Sequence, residues 1–275
     1  MIFWAYPLNV TATQANPYPQ IKTYERQEFD RLTGYLEKLD AGGWVEQSYC
    51  TDWLVYQVVS HIGSGCRIGK LRLEQWAKGG PPVTREVMQE VWGFFDALEP
   101  EQMLAAYSAA ASEYVAAEAE TPDAAGQQEV DGFAGRRPLH AYQLLRVWEL
   151  ACHSWDVYVA RDTGARLDPA AVSMLARSLD QVFVPLDKDR ATALTTRQVG
   201  FKLTDSGASY TLDPTAERPR LQVGAGAYAA LLIEGPDEEV IRFLAGRHFL
   251  PGSTPKLKPT RGSAQDLASL RRALR

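Results

Sequence analysis

Cysteine is scarce in this chain of 275 residues: three occur, Cys50, Cys66 and Cys152. An odd number without any Cys-x-x-Cys spacing argues against a disulfide framework and against a zinc ribbon. Reduced thiols suit a cytoplasmic location. Long apolar runs are lacking too: none reaches the roughly 18–20 residues that cross a bilayer. The opening MIFWAYPLNV lacks the basic start and apolar stretch of a secretory signal. Basic runs are also missing. With a net charge of −5 the chain offers no basic face to neutralise phosphates. Arg271, Arg272 and Arg275 form the one basic cluster, placed where a helix C-terminus favours cations. The expectation is a cytoplasmic protein, monomeric or homodimeric, with neither membrane nor nucleic acid as partner.

What is present is a normal share of hydrophobic residues, 45%, enough for one large or two smaller buried cores. The first twenty residues, with Pro7, Pro17 and Pro19, read as an extended arm. Helical periodicity predicts a helix over 23–39 and a second from Thr51 or Asp52 to Lys78, stopped by Gly79-Gly80-Pro81-Pro82. A third stretch spans 84–119 with a break near Pro100. A polar loop fills 120–137, a fourth helix runs from Pro138 to Arg161, and a fifth runs from Asp168-Pro169 to Val184. The period then shortens. Strands are expected at 199–203, 209–212 and 220–223, with short helices at Ala227–Ile233 and Asp237–Leu244. The expected class is α+β: a helical domain over 1–186 and a smaller α/β domain over 187–275.

The fourth helix carries Arg146-Val-Trp-Glu149-Leu-Ala-Cys-His153-Ser-Trp-Asp156. Glu149 and His153, four apart, project from one face, with Asp156 one turn further on. A carboxylate beside an imidazole suits zinc or a similar divalent ion, and His61 on the apolar stripe of the second helix is the candidate third ligand. Three protein ligands leave an open position, as catalytic sites require. Plainer readings stand beside this one. Such a pair can be a surface contact, His61 can be a hydrogen-bonded core residue, and Arg146 can be the partner of Glu149.

Two segments resemble signatures of the mycothiol-dependent maleylpyruvate isomerase family, which is built on DinB-like metal-binding bundles. One is Cys50-Thr-Asp-Trp53-Leu-Val-Tyr-Gln-Val-Val-Ser-His61, and the other is Arg146-x-x-Glu149-x-x-x-His153-x-x-Asp156. The stretch from Tyr228 through Phe243-Leu-Ala-Gly246-Arg247 looks like the end of the family's sterol-carrier-like C-terminal domain. The resemblance implies a DinB-like four-helix bundle, zinc on His61, Glu149 and His153, and a low-molecular-weight thiol such as mycothiol as cosubstrate. Two positions depart from the pattern: Thr51-Asp52 replaces Pro-Gly, and Gln57 replaces an acidic residue.

The expected function is that of a metal- and thiol-dependent isomerase or transferase. A bound divalent ion favours thiolate over thiol, and the thiolate attacks a small electrophilic, anionic substrate. Arg247 and Arg146 are the candidates for holding that anion. Two rivals need no thiol: metal-assisted hydrolysis, and a non-catalytic protein that binds a small molecule or lipid.

Overall fold

The computed structural model describes residues 16–274 apart from 51, 133–134, 184–185, 187, 193, 195–197, 217–218, 225–228 and 249–255. The chain divides into two compact units, Met1–Ala165 and Arg166–Arg275. The boundary therefore falls 21 residues before the one expected from sequence. The helix that opens at Pro169 packs with the later helix over 237–244, so it belongs to the second core rather than the first.

Four long helices build the first unit: α1 (Tyr18–Leu36), α3 (Val55–Ala77), α5 (Pro100–Glu120) and α6 (Leu139–Tyr158), with the one-turn α2 (Ala41–Trp44) and α4 (Arg85–Asp96) between them. Each of α1 and α3 packs against both α5 and α6, which closes a four-helix ring, and α4 lies along α3. The break expected near Pro100 separates α4 from α5. The expected arm is shorter than twenty residues, because Tyr18 and Ile21 are fully buried on the first turn of α1; residues 1–15 of that arm lie outside the described residues. Part of the expected loop is ordered: β1 (Glu129–Gly132) and β2 (Gly135–Pro138) form an antiparallel hairpin.

Apolar periodicity explains the bundle. Helix α3 buries Val55, Val58, Val59, Ile62, Cys66 and Leu73. Two glycines allow close approach: a Cβ on Gly63 would lie 2.6 Å from the Phe95 ring, and one on Gly65 would lie 2.5 Å from Arg146 Nη1. Helix α6 is buried on most of its circumference, with Ala141, Leu144, Val147, Leu150 and Trp155 all at most 1% exposed.

The second unit contains α7 (Pro169–Ala176), α8 (Leu179–Val182), α9 (Lys188–Thr192), α10 (Asp237–Leu244) and α11 (Ala264–Ala273) around one mixed sheet. Its strands are β3 (Val199–Leu203), β4 (Ser209–Leu212), β5 (Leu221–Val223), β6 (Leu231–Gly235) and β7 (Lys258–Arg261), in the order β5-β4-β3-β6-β7. Strands β3 and β6 are parallel, and the other pairs are antiparallel. The helix expected over Ala227–Ile233 is not formed at its C-terminal end. Leu231–Ile233 begin β6, whose alternating burial fits a strand, and residues 227–228 lie outside the described residues. Among the described residues no helix is long and apolar enough to cross a membrane.

A polar knot ties α1, α5 and α6 together. Glu25 and Glu118 are both buried, with the Tyr114 hydroxyl 2.9 Å from Glu25 and 3.3 Å from Glu118. Gln143 donates to Glu118 at 2.9 Å and to the Tyr114 hydroxyl at 2.8 Å. Burial, and for Glu25 the neighbouring Glu118 next, raises both carboxyls, so the pair is satisfied by holding a proton. A raised carboxyl contributes stability that is complete below the unfolded value of about 4.3 and is lost as pH climbs through the folded value. Glu25→Gln is therefore expected to remain at least as stable as the parent at pH 7.5. The fall in stability between pH 5 and pH 8, followed by urea unfolding, should flatten.

Candidate metal centre

Helices α3 and α6 bring the three expected ligands together. His61 Nε2 stands 3.1 Å from Glu149 Oε2, and His153 Nε2 stands 3.5 Å from the same oxygen. Their ligand-type atoms all lie within 4.8 Å of one another. Donors at about 2.0–2.1 Å from one tetrahedral ion are separated by about 3.4 Å, so the spacing fits such an ion. The side chains of His61 and Glu149 are 37% and 41% exposed and that of His153 is 12% exposed. Solvent thus reaches one side of the cluster, where a further ligand would enter.

Proton placement bears on the same point. His153 Nδ1 lies 3.0 Å from Asp156 Oδ2, and Asp156 is fully buried. If Nδ1–H donates to that carboxylate, the neutral imidazole turns its Nε2 lone pair toward the Glu149 oxygen. Two lone pairs face each other there unless a positive charge sits between them. Asp156 thus occupies the position of an orienting partner behind a ligand. Burial raises Glu149, but the two imidazoles beside it more than offset that and hold the carboxyl well below its ordinary range. Burial pushes His61 downward, against the pull of Glu149, toward the neutral form a ligand requires.

The loop before α3 forms the roof. Gln47 bridges to Leu54, Ser48 Oγ donates to the Trp53 carbonyl at 2.6 Å, and the Gln47 amide donates to the Cys50 and Trp53 carbonyls. These bonds delay α3, which starts at Val55 rather than at Thr51 or Asp52. Gln57, where the family pattern has an acid, accepts from the Leu54 N–H at 2.9 Å and caps the helix. The pinned loop sets the Trp53 ring 5.2 Å from the His61 ring and 5.9 Å from the His153 ring.

Cys50 also lies at this centre. Its Sγ donates to Asp156 Oδ2 at 3.1 Å and is 4.0 Å from His153 Nδ1. No local spacing could have disclosed this, because 103 residues separate Cys50 from His153. Cys152 and Cys66 are buried, and burial pushes the Cys66 thiol up to about 12.

The two arginines fall in different units. Arg146 is one turn before Glu149 on α6, with Nη2 3.8 Å from Cys66 Sγ. Burial works against its charge, and Cys66, Tyr114 and Glu25 more than offset that cost. Among the described residues it has no carboxylate partner within 4.0 Å, so it is not the ion-pair partner of Glu149. Arg247 follows α10 in the second unit and donates to the Ala245 carbonyl at 2.6 Å.

Fold and cluster together define a helical bundle with a His-Glu-His centre, joined to an α/β unit. Residues 26–158 match the family described as the mycothiol maleylpyruvate isomerase N-terminal domain, which supports the resemblance read from the sequence. Two solved structures share the fold. One is a mycothiol-dependent maleylpyruvate isomerase, 18% identical with a TM-score of 0.63; the other is a histidine-to-alanine mutant of such an isomerase, 16% identical with the same TM-score. Each alignment covers 90% of this chain and 100% of the other. No curated protein matches the chain.

Asp156→Asn would remove the carboxylate that fixes the tautomer of His153. Affinity for a divalent ion should fall roughly ten- to hundredfold, measured by competition with a chromophoric chelator. Unchanged affinity would show that His153 needs no such orientation.

Proposed function

We propose that the bundle holds one divalent ion, zinc by preference, on His61, Glu149 and His153, and that the protein is a thiol-dependent isomerase or transferase for a small electrophilic anion. The observation that carries this reading is the convergence of two imidazole nitrogens on one carboxylate oxygen, with Asp156 behind one imidazole and solvent in front. Mixed nitrogen and oxygen donors suit zinc, and three of them leave room for a cosubstrate.

When bound, the ion supplies positive charge that stabilises a thiolate against a thiol of ordinary pKa near 8.5. The protein supplies the rest. Glu149 contributes the negative charge that keeps a cation in place. Asp156 holds the proton on His153 Nδ1 and leaves Nε2 free to ligate. Trp53 covers the imidazoles and narrows the approach to the open side. The family match over residues 26–158 supports mycothiol or a thiol like it as the cosubstrate.

Purified protein is expected to carry about one divalent ion per chain by elemental analysis, and His61→Ala or His153→Ala should lose it. Full metal content in both variants would refute the centre. The metal-loaded protein should also speed adduct formation or isomerisation of an activated alkene only when thiol is supplied, with His61→Ala at least a hundredfold slower. Equal turnover without thiol would replace this reading with metal-assisted hydrolysis.

A further inference from the structure

A second group of ligand-type atoms meets the other nitrogen of the His153 ring. Cys50 Sγ, His153 Nδ1 and Asp156 Oδ2 all stand within 4.8 Å of one another. The separations are 3.1 Å from sulfur to carboxylate, 3.0 Å from carboxylate to imidazole and 4.0 Å from sulfur to imidazole. Around a tetrahedral ion, with sulfur at about 2.3 Å and nitrogen or oxygen at about 2.0–2.2 Å, such donors stand about 3.4–3.6 Å apart. Changes of about 0.5 Å in the three separations therefore admit a cation. The backbone that carries the thiol is fixed. The Cys50 carbonyl accepts from Gln47 Nε2 at 3.0 Å, from Ser48 Oγ at 3.1 Å and from the Trp53 N–H at 2.8 Å. The Tyr49 N–H donates to the Asp156 carbonyl at 3.3 Å and ties this loop to α6.

This donor set differs in kind from that of His61, Glu149 and His153. A thiolate is soft and selects soft cations, whereas imidazole and carboxylate suit a borderline one. Thiolate and carboxylate together cancel the charge of a divalent ion, so the filled seat is neutral. Neutrality matters because Asp156 is fully buried, and a net charge there is costly to desolvate. The protons balance. The cation takes the place of the Cys50 thiol proton, which leaves to water, and the His153 proton moves from Nδ1 to Nε2 while the ring stays neutral. That move decides the state of the first centre, because a protonated Nε2 has no lone pair with which to ligate.

We propose that Cys50, His153 and Asp156 form a second seat, selective for a soft divalent cation such as cadmium, and that filling it withdraws His153 from the first centre. The two seats share one imidazole through its two nitrogens, and a neutral ring offers one lone pair at a time. A soft cation thus disarms the centre by competing for a ligand rather than for the substrate. Only this consequence rests on the proposed function. Binding at the second seat requires neither His61 nor Glu149.

The test is titration of cadmium alone into the intact protein after metal removal, followed by the ultraviolet charge-transfer band of a thiolate on cadmium, with zinc-loaded protein in a parallel arm. The band should saturate at about one cadmium per chain. Cys50→Ser and Cys50→Ala should each abolish it without changing the far-ultraviolet circular dichroism. Asp156→Asn should weaken the affinity read from the band by roughly tenfold or more, and His61→Ala should leave it intact. In the zinc-loaded arm cadmium should release zinc to a chromophoric chelator, with Cys50→Ser needing roughly tenfold more cadmium for the same release. A band that survives both Cys50 variants would place the ion on another thiol and overturn the proposal. A band indifferent to Asp156→Asn would reveal contact with a thiol alone, and zinc retained while the band fills would show that the seats do not compete; each would overturn it as well. Failure of the first centre reads out separately, as purified protein without metal, and leaves the cadmium band unaffected.

Discussion

The Glu149 carboxylate is held between two imidazoles, and most of the first unit is arranged so that this contact can exist. Three partly solvated polar groups do not gather by themselves, because each loses water without burying apolar surface. They are gathered by the packing of α3 on α6, whose apolar stripes supply the driving force. His61 lies at the edge of one stripe. Glu149 and His153 lie at the edge of the other. The polar cluster is thus a consequence of aligned hydrophobic faces.

Around that contact the polar groups fall into two layers with different duties. In the outer layer Asp156 serves both His153 and Cys50, so the loop before α3 is fastened to the same carboxylate that orients the imidazole. Loop position and ring orientation are therefore coupled, and movement of residues 47–54 would be felt at His153. In the inner layer the Glu25–Tyr114–Glu118–Gln143 knot lies away from the imidazoles and is closed by a retained proton. Arg146 lies between the two layers, and its charge acts on Glu25 and on Glu149 alike.

Much of this was legible in the chain. The i, i+4 spacing of Glu149 and His153 and the apolar stripe containing His61 disclosed the cluster, because helical geometry converts spacing directly into neighbours. The long helices and the β3, β4 and β5 strands followed from periodicity in the same way, whereas the four-helix arrangement came from the family resemblance. What escaped has a common cause. The contact of Cys50 with Asp156 and the Glu25–Glu118 pair both join residues on separate elements, and no local pattern encodes them. The misread stretch at 231–233 belongs to an apolar run, Ala-Ala-Leu-Leu-Ile, which satisfies a strand as well as a helix until its neighbours β3 and β7 are known. The domain boundary was misplaced for a related reason: a helix, taken alone, does not declare which core it joins.

The glycines that let Phe95 and Arg146 press against α3 make that helix poor at standing alone, at about 1 kcal/mol each relative to alanine. His61 thus gains a fixed direction only after its neighbours have docked, and the unfolded chain holds no preformed seat for an ion. Whatever cation prefers the assembled bundle must, by mass action, prolong its life: supply at a hundred times the dissociation constant adds about 2.7 kcal/mol. With the proposed ion on His61, Glu149 and His153, scarcity of that metal would then thin the population of the folded protein itself.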